Sequence, residues 1–167
     1  MRRNALLALA CALGLAALPV AAQAALAPSD DLGPRPPGAV TSIVVVLPHR
    51  NQAQLDELLR AIELGRAKPI SHAQFVAQFA PAPESVGRVA RFLNSRGFGI
   101  QRTAENLIFA TAPTAVVQRT FDTVIHNVRT FGRAEAYAAV APARLPSEIA
   151  ADVITVQLDN TPMRRVK

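Results

Sequence analysis

The chain has 167 residues, half of them hydrophobic, 18% charged and 5% aromatic, which suits one ordinary domain and excludes a two-domain enzyme. Its formal net charge is +6, and every basic residue except Lys68 and Lys167 is Arg. With Ala so abundant, that balance reflects compositional bias as much as a binding surface, so basicity alone assigns no partner.

Arg2 and Arg3 precede an apolar run from Ala5 to Leu18 that Pro19 closes, and Ala22-Gln23-Ala24 places small residues at both cleavage positions. Residues 1–24 read as a secretory signal peptide cut after Ala24, which sends the mature protein to the periplasm or the medium with no membrane attachment. The run is shorter than the roughly 20 residues a spanning helix requires. Cys11 falls inside the signal peptide, where Ala8-Leu9-Ala10 lacks Leu at the upstream position a lipoprotein signal prefers, so the mature chain has no thiol chemistry.

Residues 25–40 carry Pro28, Pro34, Pro36 and Pro37 with little apolar content and read as a flexible leader. A strand follows over Thr41 to Leu47, a β-branched run bounded by prolines. Asn51 is placed to cap a helix whose Leu55, Leu58, Leu59 and Ile62 form one core stripe before Gly65 stops it. Ser71 and Gln74 have capping-box spacing ahead of Phe75 and Phe79. Pro83 opens the next helix, with Val86, Val89, Ala90 and Leu93 on one face and Gly97 at its end.

Phe98 and Ile100 begin a hairpin that turns at Glu105-Asn106 and returns over Leu107 to Thr111. Pro113 opens a short helix facing inward through Val117 and Phe121. Val124 to Val128 and Tyr137 to Val140 pair around Gly132, and a helical turn after Leu145-Pro146 leads to a last strand over Val153 to Leu158. Without the extra hairpin, the order is that of an α+β ferredoxin-like split β-α-β sandwich with helices on one face of an antiparallel sheet. Topology assigns no function.

Site chemistry is sparse. His49, His72 and His126 are dispersed, with no HExxH pair, and no GxSxG elbow or phosphate-binding glycine loop occurs. Glu105, Glu135, Asp152 and Asp159 fall in loops or at strand ends, where solvated carboxylates are expected. No catalytic residue, cofactor or metal is expected. Arg96-Gly97-Phe98-Gly99 opens like an RNA-recognition segment, but Ile100 and Thr103 occupy its aromatic positions, so nucleic acid is not an expected partner.

Several segments together are more specific. Ile70-Ser71-His72-Ala73-Gln74-Phe75 with Phe79-Ala80-Pro81-Ala82-Pro83 is similar to "LTPEEFAARFGPSP", and Ala112 to Phe121 is similar to "GTAAQVNAAF". Val124 to Tyr137 resembles "LHRYRVGGRTYYA", Ala143-Arg144-Leu145-Pro146 resembles "PPRLPAAL", and Val153 to Asn160 ends like "V..V.GLDN". These strings occur, in this order, in the activation domain (pro-domain) of the sedolisin and kumamolisin family of acid serine peptidases. The chain resembles that domain over about 120 residues, with Phe92-Leu93 for the usual Trp-Leu and Gln157 for the Gly before LDN.

The resemblance implies a pro-domain over residues 41–160 with a C-terminal tail over 161–167, and as its partner a sedolisin-type serine peptidase catalytic domain. Family members carry a Ser, Glu and Asp triad in a catalytic domain of several hundred further residues. This sequence stops at Lys167, so the expectation is a stand-alone inhibitor or folding chaperone without peptidase activity. The alternative is a truncated zymogen remnant or an exported binding module. The resemblance also implies that the tail approaches the peptidase cleft, with Asp159, Asn160, Arg164 and Arg165 as contacting residues, and His49, His72 and His126 are the candidate pH sensors.

Overall fold

The computed structural model describes residues 31–130 and 133–160. Seven strands and four helices follow in the order β1 (Asp31–Pro34), β2 (Val40–Val46), α1 (Gln52–Glu63), α2 (His72–Phe79), α3 (Pro83–Ser95), β3 (Gly99–Ala104), β4 (Leu107–Pro113), α4 (Thr114–Phe121), β5 (Ile125–Thr130), β6 (Arg133–Ala139) and β7 (Thr155–Gln157). They form a four-stranded sheet of order β3-β4-β2-β7 and a three-stranded sheet of order β1-β5-β6, antiparallel throughout. Taken without β1, β5 and β6, the larger sheet and its helices are the ferredoxin-like arrangement the sequence implies.

Strand periodicity divides the larger sheet into two faces. Thr41, Ile43, Val45 and Leu47 point inward together with Ile108, Ala110, Ala112 and Val156. Against them pack Val89 and Leu93 of α3 and Val117 and Phe121 of α4, with the Phe98 and Phe121 rings edge to face at 6.0 Å. The register pairs Val45 with Ile108 and with Val156, so β2 is the central strand of the core.

Helix boundaries follow local chemistry. Ser71 and Gln74 form the complete capping box of α2, Pro83 stands in the first turn of α3, and Gly97 (φ +91°) and Gly65 (φ +67°) take the left-handed positions after α3 and α1. Asn51 departs from expectation. Its own backbone is left-handed (φ 52°), its side chain makes no cap bond, and its Nδ2 instead donates to the Gln78 carbonyl at 3.0 Å. The α1 stripe is also less buried than its spacing implies, since Leu55 alone is fully buried and Leu59 stays exposed.

The flexible leader expected over 25–40 is corrected for its described part. Residues 31–34 form an edge strand on β5, in which Asp31 Oδ1 accepts the Gly33 N–H at 2.8 Å and the Arg35 N–H reaches the Ile125 carbonyl at 3.0 Å. Further along, the carbonyls of Pro37 and Ala39 accept the N–H groups of Ala115 and Thr114, both at 2.9 Å. Those are orphan donors at the start of α4, so this segment satisfies part of that helix end. The ordered unit therefore begins at least ten residues before Thr41.

The last strand is shorter than the Val153–Leu158 run suggests, because Val153 and Leu158 are buried while the ladder itself spans Thr155–Gln157. The preceding residues 147–152 turn twice, with Ile149 N–H to Pro146 O and Asp152 N–H to Ile149 O. Arg88 of α3 grips Asp152 through two bonds of 2.8 and 2.6 Å, and Arg96 holds Glu148 at 2.8 Å, which fixes this turn to α3.

Candidate functional site

The domain's C-terminal end is built on Tyr137. Continuing the β2–β7 register past Val44 and Gln157 would place Asp159 opposite Ser42, but the chain turns toward β6 instead. There the Asn160 side-chain oxygen accepts the Tyr137 N–H at 2.7 Å, and the Asn160 N–H donates to the Tyr137 carbonyl at 3.2 Å. Asn160 thus substitutes for a paired strand residue at the open edge of β6.

The Tyr137 hydroxyl reaches back to β2, where it accepts the Ser42 N–H and donates to the Ser42 carbonyl, each at 2.9 Å. Arg35 closes the assembly from the other side. Its guanidinium lies 4.4 Å from the Tyr137 ring centroid, and it donates to Thr41 Oγ1, Asn127 Oδ1 and the Val40 carbonyl. The buried Thr41 hydroxyl in turn meets Thr114 at 2.9 Å. Tyr137 therefore joins both sheets and the Arg35 segment through its side chain, and the Asn160 end through its backbone.

The candidate residues do not converge. Asp159 accepts from Gln157 Nε2 at 3.3 Å beside Asn160, whereas Arg164 and Arg165 lie outside the described residues. His49 Nδ1 sits 3.2 Å from the Phe79 carbonyl with its ring edge-on to Phe75 at 5.3 Å. His72 is exposed, 3.6 Å from Glu105. His126 is 2.8 Å from both Asp31 oxygens, with its side chain only 18% exposed, and so ties β5 to β1.

Electrostatically, the Gly33 N–H and then His126 hold the Asp31 carboxyl below its ordinary value. Arg88 does the same to Asp152. Among the described residues no group of three or more His, Cys, Asp and Glu side chains is arranged to hold a metal ion, and no helix is long and apolar enough to cross a membrane.

The outer face of the larger sheet is the broadest candidate surface. Val44 and Val46 from β2 and Leu107 and Phe109 from β4 alternate with the buried positions, stay partly exposed, and take no part in the buried cluster. Ser42, Thr111, Thr155 and Gln157 border them as polar neighbours, Arg102 lies over Phe109, and Val40 at the strand start is 66% exposed. An apolar centre with a polar border is the composition of a protein-binding surface.

Residues 28–161 match the family model described as "Pro-kumamolisin, activation domain". The chain belongs to the pro-kumamolisin activation-domain family. It is also 34% identical over 118 residues to a protein named Sedolisin from Pseudomonas sp. (strain 101), an alignment covering 67% of this chain and 20% of that protein. The chain thus spans about a fifth of the length of the curated relative it matches.

The match reaches from residue 28, so this activation domain includes the edge strand β1 that composition assigned to a leader. The feature sequence reasoning missed is the Arg35, Tyr137 and Asn160 assembly. Its visible signals were Asn160, already named as a contacting residue at the end of the LDN segment, and Tyr137, the single Tyr of the chain.

Proposed function

We propose that this activation domain acts on a sedolisin-type serine peptidase catalytic domain, as its inhibitor and as a folding chaperone. The observation that carries the reading is the family match over residues 28–161. The open sheet face supports it physically, because an apolar surface with a polar rim can both nucleate a folding partner and remain bound to it. In this reading catalysis resides in the partner, this chain contributes no catalytic residue or cofactor, and residues 1–24 direct export.

Asn160 is assigned the role of fixing the chain's departure at the β6 edge, so that Asp159 and the residues after it, including Arg164 and Arg165, are aimed at the partner's cleft. His72, exposed and beside Glu105, is the histidine best placed to sense pH at a docked surface. His126 is engaged with Asp31 in a contact within the domain.

The test is refolding of a sedolisin-type catalytic domain that lacks its own activation domain, with and without an equimolar amount of the purified protein. Recovery of acid peptidase activity is expected to rise severalfold when the protein is present. Equal recovery with and without it, together with no inhibition of the mature peptidase, would overturn this reading and leave an exported binding module.

A further inference from the structure

We propose that Arg102, laid over Phe109, is the electrostatic anchor of the open sheet face and selects a partner surface that presents a carboxylate opposite it. This rests on the reading that the face docks on a sedolisin-type catalytic domain, and it adds the chemistry by which that partner is recognised.

The placement comes from an irregularity in β3. The register with β4 runs Ile100 to Ala110 and then Arg102 to Phe109, so one residue is inserted at Gln101. Such a bulge turns successive side chains to the same side of a strand. Gln101 and Arg102 therefore both reach outward-facing partners: Gln101 Nε2 donates to Thr111 Oγ1 at 3.1 Å, and the Arg102 guanidinium carbon lies 3.9 Å from the Phe109 ring centroid. Without the bulge, Arg102 would keep Ile100's parity and share the side of the buried Ala110.

A guanidinium stacked on a ring is held at low entropic cost while its N–H edge stays available for a bidentate acceptor. Arg102, like most arginines among the described residues, has no ion pair there, and what sets it apart is its place over Phe109 on the open face. The residues beside it on β4 and across on β2 are Leu107, Phe109, Thr111, Val44 and Val46, none of them acidic, and Asp159 lies at the far edge of the sheet beside Gln157. One cation bordering an apolar patch suits a protein surface with a single carboxylate. A polyanion would require several cations in a row.

The experiment compares inhibition of a sedolisin-type catalytic domain by the wild-type protein and by Arg102→Glu, Arg102→Gln and Arg102→Lys, at low and high salt. Arg102→Glu is expected to raise the inhibition constant about tenfold or more at low ionic strength, with the gap narrowing in about 0.5 M salt as the charges are screened. Arg102→Gln keeps a long neutral side chain at the site and guards against a folding defect in the charge reversal; it should fall between wild type and Glu, while Lys, which keeps the charge but loses the planar stacked fork, should fall between wild type and Gln. Wild-type-like inhibition by both Glu and Gln variants would overturn the anchor and leave the docking reading intact. Failure of the wild-type protein itself to inhibit would overturn both.

Discussion

Asn160 closes the domain on Tyr137 through a reciprocal pair of hydrogen bonds, its side-chain oxygen taking the Tyr137 N–H at 2.7 Å and its own N–H returning to the Tyr137 carbonyl at 3.2 Å. Only an amide or carboxylate of this length supplies that acceptor. Asn160→Ala should therefore lower unfolding stability by about 1 kcal/mol, whereas Asn160→Asp retains most of it. Urea unfolding monitored by circular dichroism checks this, and equal midpoints for wild type and the Ala variant would show that the contact contributes nothing.

Tyr137→Phe removes one oxygen that serves both Ser42 backbone groups. Tyr137 is buried but Ser42 is exposed, so water replaces part of what the hydroxyl supplied and the change should cost about 1 kcal/mol. Amide hydrogen exchange adds a local readout: Ser42 should lose protection more than Val45 does.

Much of this fold is legible because its signals are local. Ser71 with Gln74, Pro83, Gly97 and the Glu105-Asn106 turn each set a boundary within a few residues of themselves, and α2, α3, α4 and the β3–β4 hairpin lie where their spacing places them. Strand β1 is different. Its DLGP sequence has no β-branched residue and a Gly and a Pro, and its order comes from β5, from the Asp31–His126 contact, and from Arg35 bonding to Asn127 far along the chain. Composition cannot register bonds whose partners lie about ninety residues away. The same reason hides Asn160: its motif marks a chain end, but its bonds run to main-chain atoms of Tyr137, which no side-chain pattern announces.

Acid should loosen the domain through carboxylates. Asp31 and Asp152 are held below their ordinary values by Gly33 with His126 and by Arg88, so the native state binds fewer protons than the unfolded chain at these sites. Their contribution is fully present above the unfolded value and is lost as pH falls through the lower folded one, a window beginning below about pH 5. The stability gap between wild type and Asp31→Asn should be open at pH 6 and close in stronger acid. A gap that persists unchanged to pH 2.5 would refute this assignment.

Phe121 is fully buried against Phe98 and the inner face of the larger sheet. Phe121→Ala should cost about 3–5 kcal/mol, a large share of the stability of a domain this size. Thermal unfolding checks the magnitude, and a loss under about 1 kcal/mol would mean that α4 is not part of the core.

The most direct test of the account is inhibition of a mature sedolisin-type peptidase by the purified protein near neutral pH, with Val44→Asp and Phe109→Asp variants beside the wild type. These positions lie outside the buried cluster, so the variants should keep the fold, and melting measured beside inhibition separates lost docking from the loss of the Arg102 stack on Phe109. The account predicts stoichiometric inhibition by the wild type and a loss of at least about tenfold in affinity for each variant, as expected when a charge enters an apolar interface centre. Undiminished inhibition by both variants would contradict docking through the open sheet face, and no inhibition by the wild type would contradict the regulatory function itself.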